Sequence, residues 1–128
     1  MITTIMAGIL SAILAYLCNK VILKSFRDEG LTILVPLLEE MAKTTFALLL
    51  KTNMIGTHFI FGCIEGIYDI ITSSKRIGKW AAVASILSHS FFGMVTYLTY
   101  TRTKQALIAI ILSWILHSGW NWYVVKKL

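Results

Sequence analysis

The run LTILVPLLEEMAKTTFALLL, residues 31–50, decides how the rest of this chain is read. A helix needs ~20 mostly apolar residues to cross the hydrocarbon core of a bilayer, and this run has that length. Yet Glu39, Glu40 and Lys43 stand near its middle. On insertion scales an ionisable side chain at mid-bilayer costs about 2.5–3.5 kcal/mol, so such groups face a bundle interior or a cavity and mark functional sites. The pattern continues outward. Glu65, His89 and His117 each interrupt a later apolar stretch, so four of the five apolar stretches carry an acid or a histidine near mid-length.

Composition agrees with a membrane setting. Hydrophobic residues make up 57% of the 128 and charged residues 14%, with a mean hydropathy of +0.75. Soluble domains carry ~25% charged residues. One Pro and eight Gly leave little for loops. A single transmembrane domain over residues 1–128, with a motif-bearing core at about 31–125, is the economical expectation. The net charge of +6 does not point to nucleic acid. Its Lys and Arg residues sit mostly between apolar runs, as charges that anchor helix ends do. Cys18 and Cys63 lie inside apolar runs and read as small fillers, and no Cys-x-x-Cys or Cys/His zinc spacing is present.

The expected fold class is all-α, a polytopic transmembrane bundle of about five membrane-spanning helices. The first runs roughly from Ile2 to Leu23, and the polar break at Asn19 and Lys20 reads as its membrane exit. It reads as retained, because it lacks a basic leader and has Leu17 before Cys18. Lys24 to Gly30 forms a connector containing Arg27, Asp28 and Glu29. The second helix is Leu31 to Leu50, with Pro36 expected to kink it ahead of the acids. The third covers about Ile55 to Thr72, the fourth Trp80 to Tyr100 and the fifth Ala106 to Val125. Short connections predict antiparallel neighbours. No internal repeat is present, and an odd number of spans disfavours an inverted-repeat transporter. Lys20, Lys24, Arg27, Lys75, Arg76, Lys79, Lys126 and Lys127 fall on one side, against Lys51, Arg102 and Lys104 on the other. That excess places the C-terminus in the cytoplasm and the N-terminus outside, in the cell membrane.

The interrupting residues have the chemistry of a site. Lys43 is one turn from both Glu39 and Glu40 and can neutralise one of them, leaving the other in need of a partner. Two adjacent carboxyls in low dielectric do not both ionise easily, and one can serve as a general base toward water. A Glu–Lys pair that only staples helices is the competing reading, and a second adjacent acid exceeds what a staple requires. Gly62 and Gly66 bracket Glu65 and let a neighbouring backbone approach, so Glu65 is expected at a close helix contact. Asp69, one turn on, reads as interfacial, and so does His58. His89 lies mid-helix, and His117 and Asn121 share a face one turn apart. Two fixed donors there would suit an oxyanion. Counted along alternating helices, Glu39, Glu40, Glu65, His89 and His117 fall at about the same depth.

The set Glu39-Glu40-x-x-Lys43, Phe61-x-x-x-Glu65, His89 on its own helix, and His117-x-x-x-Asn121 resembles the PrsW family of intramembrane proteases. That family is related to the CAAX-processing and bacteriocin-processing glutamic intramembrane proteases. The resemblance spans roughly Pro36 to Asn121. It implies an intramembrane endopeptidase that uses glutamate-activated water, without a cofactor. Its substrates would be membrane-embedded or membrane-tethered proteins, regulators such as anti-sigma factors among them. By resemblance, one of Glu39 and Glu40 would activate water, His89 would hold or polarise it, and His117 and Asn121 would stabilise the oxyanion. Lys43 stands where the CAAX-type branch places Arg, and Glu65 where it places His. Both differences point to the PrsW side. Family members usually have several more helices, so this chain resembles a near-minimal core that a partner or a homo-oligomer would help to seal.

Other chemistry competes with this. Glu39, Glu40, Glu65, His89 and His117 offer enough ligands for a zinc or iron ion, which makes a metal-dependent protease the variant within the enzyme class. The absence of His-Glu-x-x-His and the charge of Lys43 argue for no metal. Outside that class stand a proton- or ion-conducting bundle and a catalytically inert immunity or scaffold protein.

Overall fold

The computed structural model describes residues 1–127, with side chains for all of these but Asp28 and Lys127. The side chains of those two residues, expected in the first connector and the basic tail, therefore lie outside the described residues, as does Leu128. Helix α1 spans Ile2–Glu29, a π-helical turn follows over Gly30–Leu34, and α2 spans Val35–Leu49. Three longer segments complete the chain: α3 (Met54–Thr72), α4 (Lys75–Thr103) and α5 (Ala106–Lys127). The all-α bundle is as expected.

The five α-helices are also as expected. Four helices, α1, α3, α4 and α5, are long and apolar enough to cross a membrane. Helix α2 has 15 residues, about 22 Å of rise, and carries three charges. The apolar run that suggested a full span is divided, with its first residues spent on the π-helical turn. Pro36 therefore falls in the first turn of α2 and not in its interior. There the missing N–H removes no helical bond, so Pro36 starts a helix where a kink was expected. The connector differs too. Helix α1 continues past Leu23, and the chain turns at Arg27, whose φ is 44°. Gly30 then packs against Ile22 and Phe26, where an added Cβ would lie 3.0 Å from Ile22 Cγ2.

Helix α2 returns antiparallel to α1. Asn19 of α1 bonds Glu39 near the start of α2, and Thr4 bonds Thr52 just beyond its end. On another side α5 anchors the π-helical turn, with Trp114 Nε1 donating to the Ile33 carbonyl at 2.9 Å and Asn121 Nδ2 to that of Leu31 at 3.1 Å. Thr96 on α4 meets Ser113 on α5 at 2.6 Å. The closest seam is α3 against α4. A Cβ on Gly66 would stand 3.2 Å from Ala82 Cα, and one on Gly62 would stand 3.0 Å from His89 Cβ and 3.1 Å from the Ser85 carbonyl. The small residues expected to admit a neighbour do so.

The bundle is polar at its centre and apolar at its rim. Glu40, Lys43, His58 and Thr96 are wholly buried, while Leu17, Val21, Leu87 and Leu107 are more than half exposed. Such an inversion suits a lipid surround, where the backbone is satisfied within helices and the polar groups face inward.

The seam yields a stability test. Gly66→Val forces α3 from α4 and lowers stability by about 1–3 kcal/mol in reversible unfolding from micelles. Gly119→Ala, with nothing within 4 Å of the added carbon, does not lower it. Equal loss in both variants would contradict the close α3–α4 approach.

Candidate active site

Helix α2 supplies Glu39, Glu40 and Lys43. Consecutive residues point ~100° apart around a helix, so the two acids enter different surroundings. Lys43 Nζ donates to Glu40 Oε1 at 2.6 Å. The same oxygen lies 2.9 Å from His117 Nδ1 on α5. Lys43 continues to His89 Nδ1 on α4 at 2.9 Å, and its ammonium lies 4.5 Å from the centroid of the Phe61 ring. An ammonium only donates, so His89 Nδ1 accepts and the ring proton sits on Nε2. That Nε2 donates to Glu65 Oε2, which also accepts from Ser85 Oγ at 2.6 Å. One connected chain, His117–Glu40–Lys43–His89–Glu65, thereby ties four helices together.

Aromatic rings fix the imidazoles. Phe92 stacks on His117 with centroids 4.7 Å apart, Phe61 meets His89 edge-on at 4.9 Å, and the two imidazoles stand 5.0 Å apart. Rings held in this way keep their nitrogens aimed.

Glu39 is placed differently. Its Oε1 accepts from Asn19 Nδ2 at 3.0 Å. Its Oε2 is buried without a hydrogen-bond partner and lies 3.8 Å from His117 Nε2. His117 Nδ1 donates to a carboxylate already held by an ammonium, so Nε2 presents its lone pair; this tautomer follows from the network. Two acceptors thus stand side by side. Glu39 also lines a cavity of about 660 Å³ between α1 and α3, together with Phe61, Glu65 and Asn121. The α1 wall of that cavity is apolar at Ile9 and Ile13 and polar at Asn19 and Lys20. Its size falls within the ~300–1,000 Å³ of ligand sites. Glu40 is absent from the lining and stands behind Glu39.

The sequence-selected residues Glu39, Glu40, Lys43, Phe61, Glu65, His89 and His117 are all brought together. Asn121 lies at the cavity edge, with one amide hydrogen on the Leu31 carbonyl. The expected pairing of His117 and Asn121 as donors into one space is not what the geometry presents. The donor nitrogen of His117 is spent on Glu40, while an amide has a second hydrogen to offer. Glu39, His89 and His117 each offer a ligand atom within 4.8 Å of the other two, as a three-ligand metal centre requires. Both nitrogens of His89 are engaged, however, one of them by an ammonium.

Three site residues escaped sequence reading. His58, expected at the interface, is wholly buried, with Nδ1 3.6 Å from Glu40 Oε2. The signal was its spacing, seven residues before Glu65 on one face of α3. Asn19 looked like a membrane exit, yet it is a polar group inside an apolar run, the same mark that singled out Glu39. Ser85, four residues before His89, carried no mark of its own. No family model, curated protein or solved structure matches the chain.

Removing one partner of a buried charge pair costs about 3–5 kcal/mol. Lys43→Met, which strands the Glu40 carboxylate, should therefore lower unfolding stability by that amount. Glu39→Gln, which keeps an acceptor for Asn19, should cost under about 1 kcal/mol. A Lys43→Met protein as stable as wild type would contradict the central ion pair.

Proposed function

We propose that this chain is an intramembrane endopeptidase that hydrolyses peptide bonds of membrane-embedded or membrane-tethered proteins with glutamate-activated water, as its resemblance to the PrsW family implies. One observation carries the reading: a cavity-lining carboxylate, Glu39, has an oxygen with no partner and faces an imidazole lone pair 3.8 Å away. A water molecule ~2.8 Å from each would donate one hydrogen to Glu39 Oε2 and the other to His117 Nε2. Both of its lone pairs would then remain free for attack. Glu40 is not suited to that task, because Lys43 and His117 already occupy one of its oxygens and it is away from the cavity. The resemblance leaves the choice between the acids open, and this placement favours Glu39 as base.

In the proposed step the water oxygen attacks the peptide carbonyl carbon while Glu39 takes a proton. The tetrahedral intermediate collapses as the C–N bond breaks, and that proton passes to the departing amine. The free amide hydrogen of Asn121 serves the oxyanion. Glu40 and Lys43 hold His117 and His89 in place, and Glu65 locks His89. The bundle lies in the cell membrane with its N-terminus outside and its C-terminus in the cytoplasm.

A panel of transmembrane peptides presented to the purified protein in liposomes tests this directly. Wild type cleaves at least one peptide, and Glu39→Gln, still folded, loses 10²-fold or more of that rate. Retained cleavage in Glu39→Gln would rule out the general-base assignment. The ligand-atom cluster of Glu39, His89 and His117 favours one second reading, a metal-dependent protease. Stoichiometric metal in the purified protein, with cleavage abolished by chelator and restored by the ion, would decide for it.

A further inference from the structure

His58 takes no part in the step just described, yet it is the most enclosed ring in the molecule. It is wholly buried, and neither ring nitrogen has a hydrogen-bond partner. Its nearest ionisable atom is Glu40 Oε2, 3.6 Å from Nδ1, and that oxygen has no hydrogen bond of its own. Room for the ring comes from Gly93 on α4, where a Cβ would lie 2.6 Å from His58 Cβ and 2.9 Å from its Cγ. The position is also held from below. The Asn53 side chain accepts from the Gly56 N–H at 2.7 Å and caps the first turn of α3. A polar ring with two unsatisfied nitrogens is retained in such a place when one nitrogen has a charged partner within a small rotation.

We propose that His58 is the positioning residue for Glu40. Its Nδ1–H is directed at Oε2, so that the carboxylate is held from both oxygens. Lys43 and His117 hold Oε1, and with a donor on Oε2 the carboxylate plane cannot turn. The plane decides which proton His117 carries. Only while Oε1 faces His117 Nδ1 does that nitrogen keep its hydrogen, leaving Nε2 bare beside Glu39. His58 thereby acts at a distance on the water-holding pair without touching it. As a claim about catalysis this rests on the hydrolytic reading; as a claim about tautomers it does not.

The test reads tautomers, which cleavage does not enter. The chain has three histidines, so ¹⁵N-histidine spectra of the protein in micelles resolve each ring through single-site variants. In wild type, His58 and His117 should both show a protonated Nδ1 and a bare Nε2. In His58→Leu, His117 should redistribute toward the other tautomer, and in His58→Asn, whose amide nitrogen sits near the place of Nδ1, the wild-type pattern should return. An unchanged His117 in a folded His58→Leu protein would overturn the proposal. If that variant does not fold, wild type still decides: a His58 with bare Nδ1 refutes the assignment. In liposomes, cleavage should drop tenfold or more in His58→Leu and recover in His58→Asn. No cleavage by any form, wild type included, sinks the hydrolytic reading and leaves the tautomer result standing.

Discussion

A carboxylate and an ammonium 2.6 Å apart, both fully shielded from the surroundings, set the terms for the rest of this bundle. Neither Glu40 nor Lys43 is tolerable alone in such a place, and as a pair they still leave oxygens and hydrogens to satisfy. The other helices supply those partners. His117 arrives from α5, His89 from α4 with Glu65 of α3 behind it, and His58 of α3 faces the remaining oxygen. Removing water makes each of these contacts matter more, because in a low dielectric an unmatched polar atom has no alternative.

The packing follows from that requirement. For His89 to reach both Lys43 and Glu65, α3 and α4 must come within backbone contact, and Gly62 and Gly66 permit it. For His117 to reach Glu40, α5 must be pinned beside the start of α2, and Trp114 and Asn121 do this through the Ile33 and Leu31 carbonyls. Those carbonyls belong to a π-helical turn, a widened stretch of helix that occurs disproportionately at functional sites. Helix α2 turns its polar face to the others, while Met41 and Leu49 stay exposed on its outer side.

Much of this was legible in the residues themselves. Acids and histidines inside apolar runs carry a cost that only a shared polar interior removes, so Glu39, Glu40, Glu65, His89 and His117 were recoverable without coordinates. The small-residue spacing of Gly62 and Gly66 foretold the seam for the same kind of reason. What failed were matters of length and of partner choice. Apolar content over residues 31–50 does not reveal that the run opens on a π-helical turn. Proline chemistry is ambiguous until the first helical residue is known, and Pro36 turned out to start α2. His58 and Asn19 were placed at helix ends by counting along the chain, whereas burial is set by which neighbours close over them. The different surroundings of Glu39 and Glu40 also needed coordinates, because both satisfy the same spacing rule toward Lys43.

The shared polar core requires carboxyl groups and imidazoles to meet at hydrogen-bond range between the helices. Solid-state NMR dipolar recoupling in lipid, with ¹³C-labelled glutamate and ¹⁵N-labelled histidine, measures those distances. Two strong couplings are predicted, Glu40 to His117 and Glu65 to His89, with the first abolished selectively in His117→Phe and the second in His89→Phe. Histidine nitrogens showing no carboxyl carbon within about 4 Å, beyond hydrogen-bonded range, would contradict the shared polar core and everything built on it.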